Sequence, residues 1–577
     1  MGKYLEKRQQ KWFWLLLLAL IAYTVKNIFV GADVDEGYGI MIGYRLLQGD
    51  KLLLEMWEPH QTSAIFTALF MKPFVWLTGG VDFLNIYLRI VYFAVQGLLA
   101  WAVYHALSVC IPRVGRIMAA LLAAFFYVTS PKCIYVPEYS NLQVWFTTAL
   151  VLCLLWYFAD ASPRKRQKWL LIMGGFFLAC DVLAYPSMAL VFPVCIGIIL
   201  WRGRRTAEGK KRWAVKECVL FTAPCVAGAL LFVGYVLSYM SVSQIMQVVP
   251  YILGDGSHQV SWSARLATWG NDLETAVVFL IIGGMLAAII AVVGHLFCKS
   301  HGYRTGFWKL VIFIFFVIQL IFQVGYWILG SDAVVNPQLI YLFMCLFGIY
   351  CYVKGDKKEK DGIFMIAVAL FGYLAVLLLS NWGPNNLNPY LVMGVLGAFL
   401  CWDALPETAP LKLGKRWLQG LLYLFILCNV FGYSYRMIGG DTMDSTILEV
   451  RGYHHEGMRA GILTNYMTAY TYNTNQENWQ EMIPEGSVLF YVGNSYFSAM
   501  AGECVIAAPN TISTPSYDES LLAYWKINPD RYPDVVAVEG MYGQLAVPAD
   551  SFVMEWLETE FKAAEIIEYP YITVYKK

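Results

Sequence analysis

The sequence predicts an α-helical polytopic membrane protein of about thirteen spans, followed by a small α/β domain outside the cytoplasm. Three observations carry that prediction. Of 577 residues, 58% are hydrophobic and 14% charged, far from the balance of a water-soluble domain. Apolar runs of membrane-crossing length recur about every thirty to forty residues along the chain. Charge is also segregated: a net charge of +1 conceals a stretch, 441–577, with 19 acidic against 7 basic residues. The apolar remainder is therefore basic.

The first predicted span, Trp12–Ala32, follows a basic start and retains Lys26 and bulky aromatics, with no small-x-small site. It reads as an anchor that stays on the chain, not a cleaved leader. Further spans are predicted at Tyr87–Val109, Arg116–Ser130, Leu142–Ala159, Trp169–Leu183, Met188–Trp201 and Ala214–Met240. The series continues with Leu273–Phe297, Phe307–Leu329, Gln338–Val353, Gly362–Ser380, Tyr390–Leu405 and Trp417–Ile438. Alternate connections are basic, among them Arg164-Lys165-Arg166, Arg202–Lys216, Lys357-Lys358 and Lys415-Arg416. The intervening ones (130–141, 331–337, 381–389) carry almost no Lys or Arg. By the positive-inside rule the N-terminus is cytoplasmic, in a plasma membrane, and the basic-poor connections face outward.

Thr62–Thr78 tests this topology. Counting it as a span would push the basic loops outside, so it is predicted to lie at the outer interface. Gln48-Gly49-Asp50 interrupts the chain before it and makes Glu36–Gln48 a second interfacial helix. Residues 1–438 thus form a membrane domain with a structured first external loop, 33–86, and residues 439–577 form the extracytoplasmic domain. In that domain Ser445–Asn478 reads as helix. Strands are expected at Ser487–Val492, Cys504–Ala508, Asp534–Val538 and Ile572–Tyr575, with helices at Asp518–Lys526 and Ser551–Ala564. Gly493 follows a strand, but no G-x-G-x-x-G accompanies it, so a nucleotide site is not indicated. The 13 cysteines lie mostly in apolar runs (Cys153, Cys195, Cys225, Cys345, Cys428), with Cys133 in a loop and Cys504 in the tail. Without CxxC spacing they read as small buried hydrophobes.

Two acidic motifs in the first external loop can carry chemistry. Asp35-Glu36, with Asp33 beside it, stands at the exit of the first span. A carboxylate there can take the proton of an attacking hydroxyl; equally, acids favour a helix's first turn on dipole grounds alone. The second motif is Glu55 with Trp57-Glu58-Pro59-His60-Gln61. Its carboxylate and imidazole can organise a phosphate or a divalent cation, and it can equally be a plain lead into a helix starting at Thr62-Ser63.

Taken together, Asp35-Glu36, Gly49-Asp50, Glu58-Pro59-His60 and Leu88-Arg89 resemble the first external loop of the GT-C glycosyltransferases. The protein O-mannosyltransferases and the aminoarabinose transferase that modifies lipid A are the families most similar in this respect. The resemblance fades beyond about residue 200. The double proline those families carry is replaced here by Pro59-His60, which leaves the phosphate partner open. What the resemblance implies is inverting transfer of a sugar from a polyprenyl-phosphate donor to a glycan, lipid or protein acceptor. Asp35 would be the catalytic carboxylate, Glu36 and Glu58 would assist it, and Asp33, His60 and Arg89 would contact substrate. A divalent cation is the candidate cofactor, and no nucleic-acid partner is expected.

Weaker candidates lie in other outer connections. Lys132 can hold the donor phosphate, with Glu138 and Tyr139 nearby. Asp181 and Tyr185-Pro186 sit at the outer end of a span pair, where Asp181 also reads as a satisfied polar group of the bundle. His258 and Arg265 occupy the connection 241–272, which can gate entry, and the Asn385–Pro389 turn can bond sugar hydroxyls. His454-His455 reads as a hydrated pair. Rival functions are a polysaccharide polymerase or ligase, whose machinery needs a larger late loop, and a lipid-linked sugar transporter. The transporter calls for repeats and mid-membrane charges, whereas the acids here gather at the outer rim.

Overall fold

In the computed structural model the described residues are 2–159, 164–202, 214–254, 261–300, 306–329, 335–356, 358–437, 445–493, 500, 503–511, 517–541, 544–545 and 547–577. The protein is a polytopic α-helical bundle with a small C-terminal α/β region. The helices are α1 Gly2–Phe29, α2 Val34–Leu47, α3 Ala64–Thr78, α4 Leu84–Cys110, α5 Arg116–Val128, α6 Tyr139–Phe158, α7 Arg164–Ala184 and α8 Val191–Arg202. They continue as α9 Val215–Leu237, α10 Val242–Leu253, α11 Trp262–Ser300, α12 Phe307–Leu329, α13 Ile340–Lys354, α14 Lys360–Leu379, α15 Val392–Asp403 and α16 Lys415–Tyr435. Among the described residues 8 helices are long and apolar enough to cross a membrane, and further apolar helices of 10–17 residues accompany them.

Between α1 and α4 the chain forms α2 and α3, separated by the irregular stretch 48–63. Within the connection 241–272 the described residues are largely helical. Ser241 and Gln244 form a reciprocal capping box that starts α10, and α11 extends outward to Trp262. Local capping thus converts polar text into helix.

At one end of the bundle, basic side chains terminate three helices by bonding their last carbonyls, groups that have no partner within the helix. Arg89 of α4 reaches the carbonyls of Ile28 (3.2 Å) and Gly31 (2.8 Å) at the end of α1. Lys26 reaches those of Tyr433 (2.8 Å) and Arg436 (2.6 Å) after α16, and Arg436 that of Trp327 (2.7 Å) in α12. Cations at helix C-termini also complement the macrodipole.

The C-terminal region starts with a hairpin, β1 (Gly452–Tyr453) and β2 (Leu463–Thr464), where the sequence suggested helix; α17 begins only at Tyr466. Gly457 and Gly461 sit at φ +72° and +80°, which break a helix. The Leu463 carbonyl accepts from Gly31 N–H at 2.8 Å, so the edge is paired with the end of α1. Beyond it come β3 (Val488–Val492), β4 (Val505–Ile506), α18 (Ser520–Ile527), β5 (Val535–Met541), β6 (Gln544–Leu545), α19 (Phe552–Trp556), β7 (Glu565–Glu568) and β8 (Ile572–Lys576). The sheet order is β4-β3-β5-β8-β7, with β6 beside β5; β4, β3 and β5 run parallel, and β8 and β7 add antiparallel strands. The helix expected over 551–564 stops at Phe561, because Lys562 turns to φ 52° and delivers the chain into β7.

Candidate functional site

Asp33 opens the site by capping α2. Its carboxylate accepts from the backbone N–H groups of Asp35 (2.6 Å) and Glu36 (3.3 Å), so it is committed to the helix start. The next two acids then diverge. Glu36 is fully buried and takes a two-pronged pair from Arg89, Nε at 2.7 Å and Nη2 at 2.6 Å, with Asn85 Nδ2 donating at 3.1 Å. The planar guanidinium matches that carboxylate edge to edge. Asp35 lies in the same first turn with its side chain 25% exposed and pairs with Lys132 Nζ at 2.9 Å.

Lys132 comes from the connection between α5 and α6, which is buried throughout 129–138. Asn141 shapes that connection by donating to the carbonyls of Ile134 and Val136, both at 2.8 Å. Glu138 caps α6 through the amides of Ser140 and Asn141. Gly39 lets α2 lie against it, since a Cβ there would come within 2.6 Å of Glu138 Cβ. Lys132 Nζ also bonds the Tyr139 hydroxyl and stands 4.5 Å from the Tyr139 ring centre and 4.6 Å from that of Trp382. Burial alone would lower the Lys132 ammonium, but Asp35 and Glu138 outweigh it and hold the group above its usual range. Burial pushes the Glu138 carboxyl up, and Lys132 and the two amides pull it back only in part.

His60 closes one side. Its ring stacks on Tyr139 (centroids 3.9 Å, planes 5° apart) and leans on Tyr185 at 4.8 Å. Asp35, His60, Lys132, Tyr139 and Tyr185, scattered over about 150 residues, therefore converge on one place, buried except at the quarter-exposed Asp35. Trp382, ahead of the Asn/Pro-rich turn, completes the aromatic wall. Nothing local in the sequence marks it, although its position just ahead of that turn is a usable signal.

Other expected site residues lie elsewhere. Glu58 is fully buried and belongs to a second ion cluster: Arg45 bonds Asp50 (2.7 Å), Glu58 (3.1 Å) and the Glu55 carbonyl (2.6 Å). From the C-terminal region Arg531 adds Asp50 (2.8 Å) and Glu55 (3.1 Å), and Tyr524 donates to the Glu55 carbonyl. Trp57 N–H donates to the Pro509 carbonyl at 2.8 Å. Asp181 is fully buried one turn below Tyr185 and accepts from Thr147 Oγ1 at 2.7 Å. Arg265 caps α14 through the Leu378 carbonyl, and Asn388 bonds its own turn. His258 lies outside the described residues. His454 departs from the expected hydrated pair: it follows β1 fully buried, and of the two His455 is exposed.

No family profile matches the chain, and no curated protein matches it. Among solved structures it is similar to the Archaeoglobus fulgidus oligosaccharyltransferase in complex with zinc and sulfate, at TM-score 0.44 and 12% identity over 91% of this chain and 67% of that one. It is also similar to the oligosaccharyltransferase AglB of that archaeon, solved with an inhibitory peptide and a dolichol-phosphate, at TM-score 0.41 and 11% identity over 91% and 69%. A further similar structure is apo ArnT from Cupriavidus metallidurans, at TM-score 0.34 and 12% identity over 98% of both chains.

Proposed function

We propose that this protein is a membrane glycosyltransferase that moves a sugar from a polyprenyl-phosphate donor to an acceptor hydroxyl on the extracytoplasmic face. The observation that carries the reading is the Asp35–Lys132 pair, with Asp35 a quarter exposed, set in the wall of His60, Tyr139, Tyr185 and Trp382. An anion-binding ammonium, a base and flat aromatic faces are what a phosphate, a hydroxyl and a sugar ring respectively require.

In this reading the donor phosphate draws Lys132 away from Asp35, which leaves the carboxylate free to accept the acceptor's hydroxyl proton. The acceptor oxygen bonds to the anomeric carbon from the face opposite the phosphate. The bond from that carbon to the phosphate oxygen breaks, and its electron pair leaves with polyprenyl phosphate. Lys132 stabilises the charge that develops there. Glu36 and Glu58, with Arg89 and Arg45, hold the loop in place and touch no substrate; Asp33 holds the turn that presents Asp35.

A divalent cation does not fit this donor set. Glu36 is held by Arg89 and Glu58 by Arg45, which leaves Asp35 alone among the three as an exchangeable carboxylate, too few ligands for a cation. Among the described residues no three His, Cys, Asp or Glu side chains gather as a ligand group.

The test is release of free polyprenyl phosphate from liposomes that hold the purified protein and a panel of polyprenyl-phosphate sugars, with envelope glycans as acceptor. Wild type should release it, and Asp35→Asn should be slower by roughly 10²- to 10⁴-fold, the range of a lost general base. Equal release by both proteins, or none with any donor, would remove Asp35 from this role and favour transport of the lipid-linked sugar.

A further inference from the structure

Beneath the aromatic wall the bundle buries a set of oxygen acceptors that lack donors. Gln143 and Thr147 follow Tyr139 on α6 at four-residue steps, so each lies about one 5.4 Å turn deeper on the same face. Gln143 Nε2 donates to Thr147 Oγ1 at 3.1 Å, and Thr147 Oγ1 donates to Asp181 Oδ2 at 2.7 Å. Every donor in this chain points toward Asp181. The Asp181 carbonyl accepts from Tyr185 N–H at 2.8 Å, which fixes the carboxyl one turn under a residue of the site.

Three atoms at this place have no hydrogen-bond partner among the described residues: Asp181 Oδ1, Gln143 Oε1 and Ser187 Oγ. Their side chains are 0%, 2% and 5% exposed, so bulk water does not serve them. Gln143 Nε2 also meets Met188 Sδ at 3.5 Å, which brings the turn that carries Ser187 against the same space. Among the described residues Thr147 is the side chain that bonds the Asp181 carboxyl. Buried acceptors left unpaired are strongly disfavoured, and a carboxyl most of all, so such a cluster calls for a ligand that brings hydrogen donors.

We infer that Gln143, Thr147, Asp181 and Ser187 form the subsite that reads hydroxyl groups of the transferred sugar. The inference rests on the transferase reading, because a ring reaches this place only when its phosphate is held at Lys132. The class of ligand follows from the atoms. Acceptors predominate, so the site selects a ring with free O–H groups directed away from the phosphate, and it rejects one that lacks them.

The experiment uses the full-length protein in liposomes and compares a polyprenyl-phosphate hexose with deoxyhexose donors that each lack one hydroxyl. Wild type should favour the hexose over one particular deoxy donor by about 10²-fold or more, as expected for a site built to bond that hydroxyl. Asp181→Asn should shrink that one ratio to a few-fold and leave the ratios for the other donors as they were. Thr147→Val serves as the second variant should Asp181→Asn fold poorly, and it should shift the same ratio. Equal slowing of all donors in both variants would overturn the subsite and make Asp181 a packing residue, while the transferase reading stands. Absence of transfer by wild type with every donor would remove both together.

Discussion

The end of the first loop nearest α1 and its middle, between α2 and α3, use the same ion-pair chemistry in different settings. At the first end Asp35 meets Lys132 with a quarter of its side chain exposed. In the middle Arg45, Asp50 and Glu58 are between 0% and 5% exposed and are locked further by Arg531 from the C-terminal region. Glu36, next to Asp35 in sequence, belongs with the closed group. Burial, not residue type, separates an acid that can exchange partners from one that cannot. A fully desolvated pair has no cheap alternative to its own partner, whereas a half-open pair can trade its partner for a substrate group.

The sharpest way to break that contrast is to neutralise each neighbour in turn. Glu36→Gln leaves Arg89 buried without its counter-charge and should destabilise the protein by about 3–5 kcal/mol. Asp35→Asn should cost less, because Asp35 is itself a quarter exposed and Glu138 and the rings of Tyr139 and Trp382 still face the Lys132 ammonium. Thermal unfolding of both variants in one detergent decides the matter, and equal shifts would erase the distinction. Next in size is Lys132→Met. Loss of one charge-assisted contact to a donor phosphate should raise KM for the donor about ten- to hundredfold, with Lys132→Arg recovering part of it. A fall in kcat with KM unchanged would instead tie Lys132 to Asp35 alone.

The smallest effect concerns the hairpin that docks on the start of α2, where Arg459 Nη2 donates to the Asp33 carbonyl at 3.0 Å. Burial of His454, with Arg459, Arg89 and His455 adding to it, holds its imidazole well below the usual range. The docked state therefore prefers the neutral ring. Its stability should be fully present above the unfolded value of about 6.5 and fall as pH drops through it, by up to about 1.4 kcal/mol per pH unit. Hydrogen-exchange protection across residues 452–464, corrected for the intrinsic pH dependence of amide exchange, should fall from pH 7.5 to 5.5 in wild type and stay flat in His454→Gln. The same acid response in the variant would clear His454 of this role.

Much of the architecture was legible because membrane spans leave long, one-dimensional apolar signals. The two helices of the first loop were also legible, since Gln48-Gly49-Asp50 marks the break between them. Asp35, Lys132 and Tyr185 could each be singled out by standing at the end of an apolar run. Their convergence with His60 and Trp382 could not be read, because it depends on which helix ends lie side by side. Glu36 and Glu58 looked equivalent to Asp35 in sequence, and only their buried arginine partners distinguish them. The hairpin at 452–464 escaped because its pairing edge is supplied by Val30–Gly31, more than four hundred residues away.

By itself, then, the sequence determined which segments form long apolar helices, where the smaller α/β region begins and which residue types stand at the helix ends. These follow from hydrophobicity and charge, properties that each residue carries wherever it sits. Only the tertiary structure decided which acid stays half-open and which is sealed. Desolvation and ion pairing depend on what else occupies the space, and partners such as Arg89, Lys132 and Arg531 reach these carboxylates from distant parts of the chain.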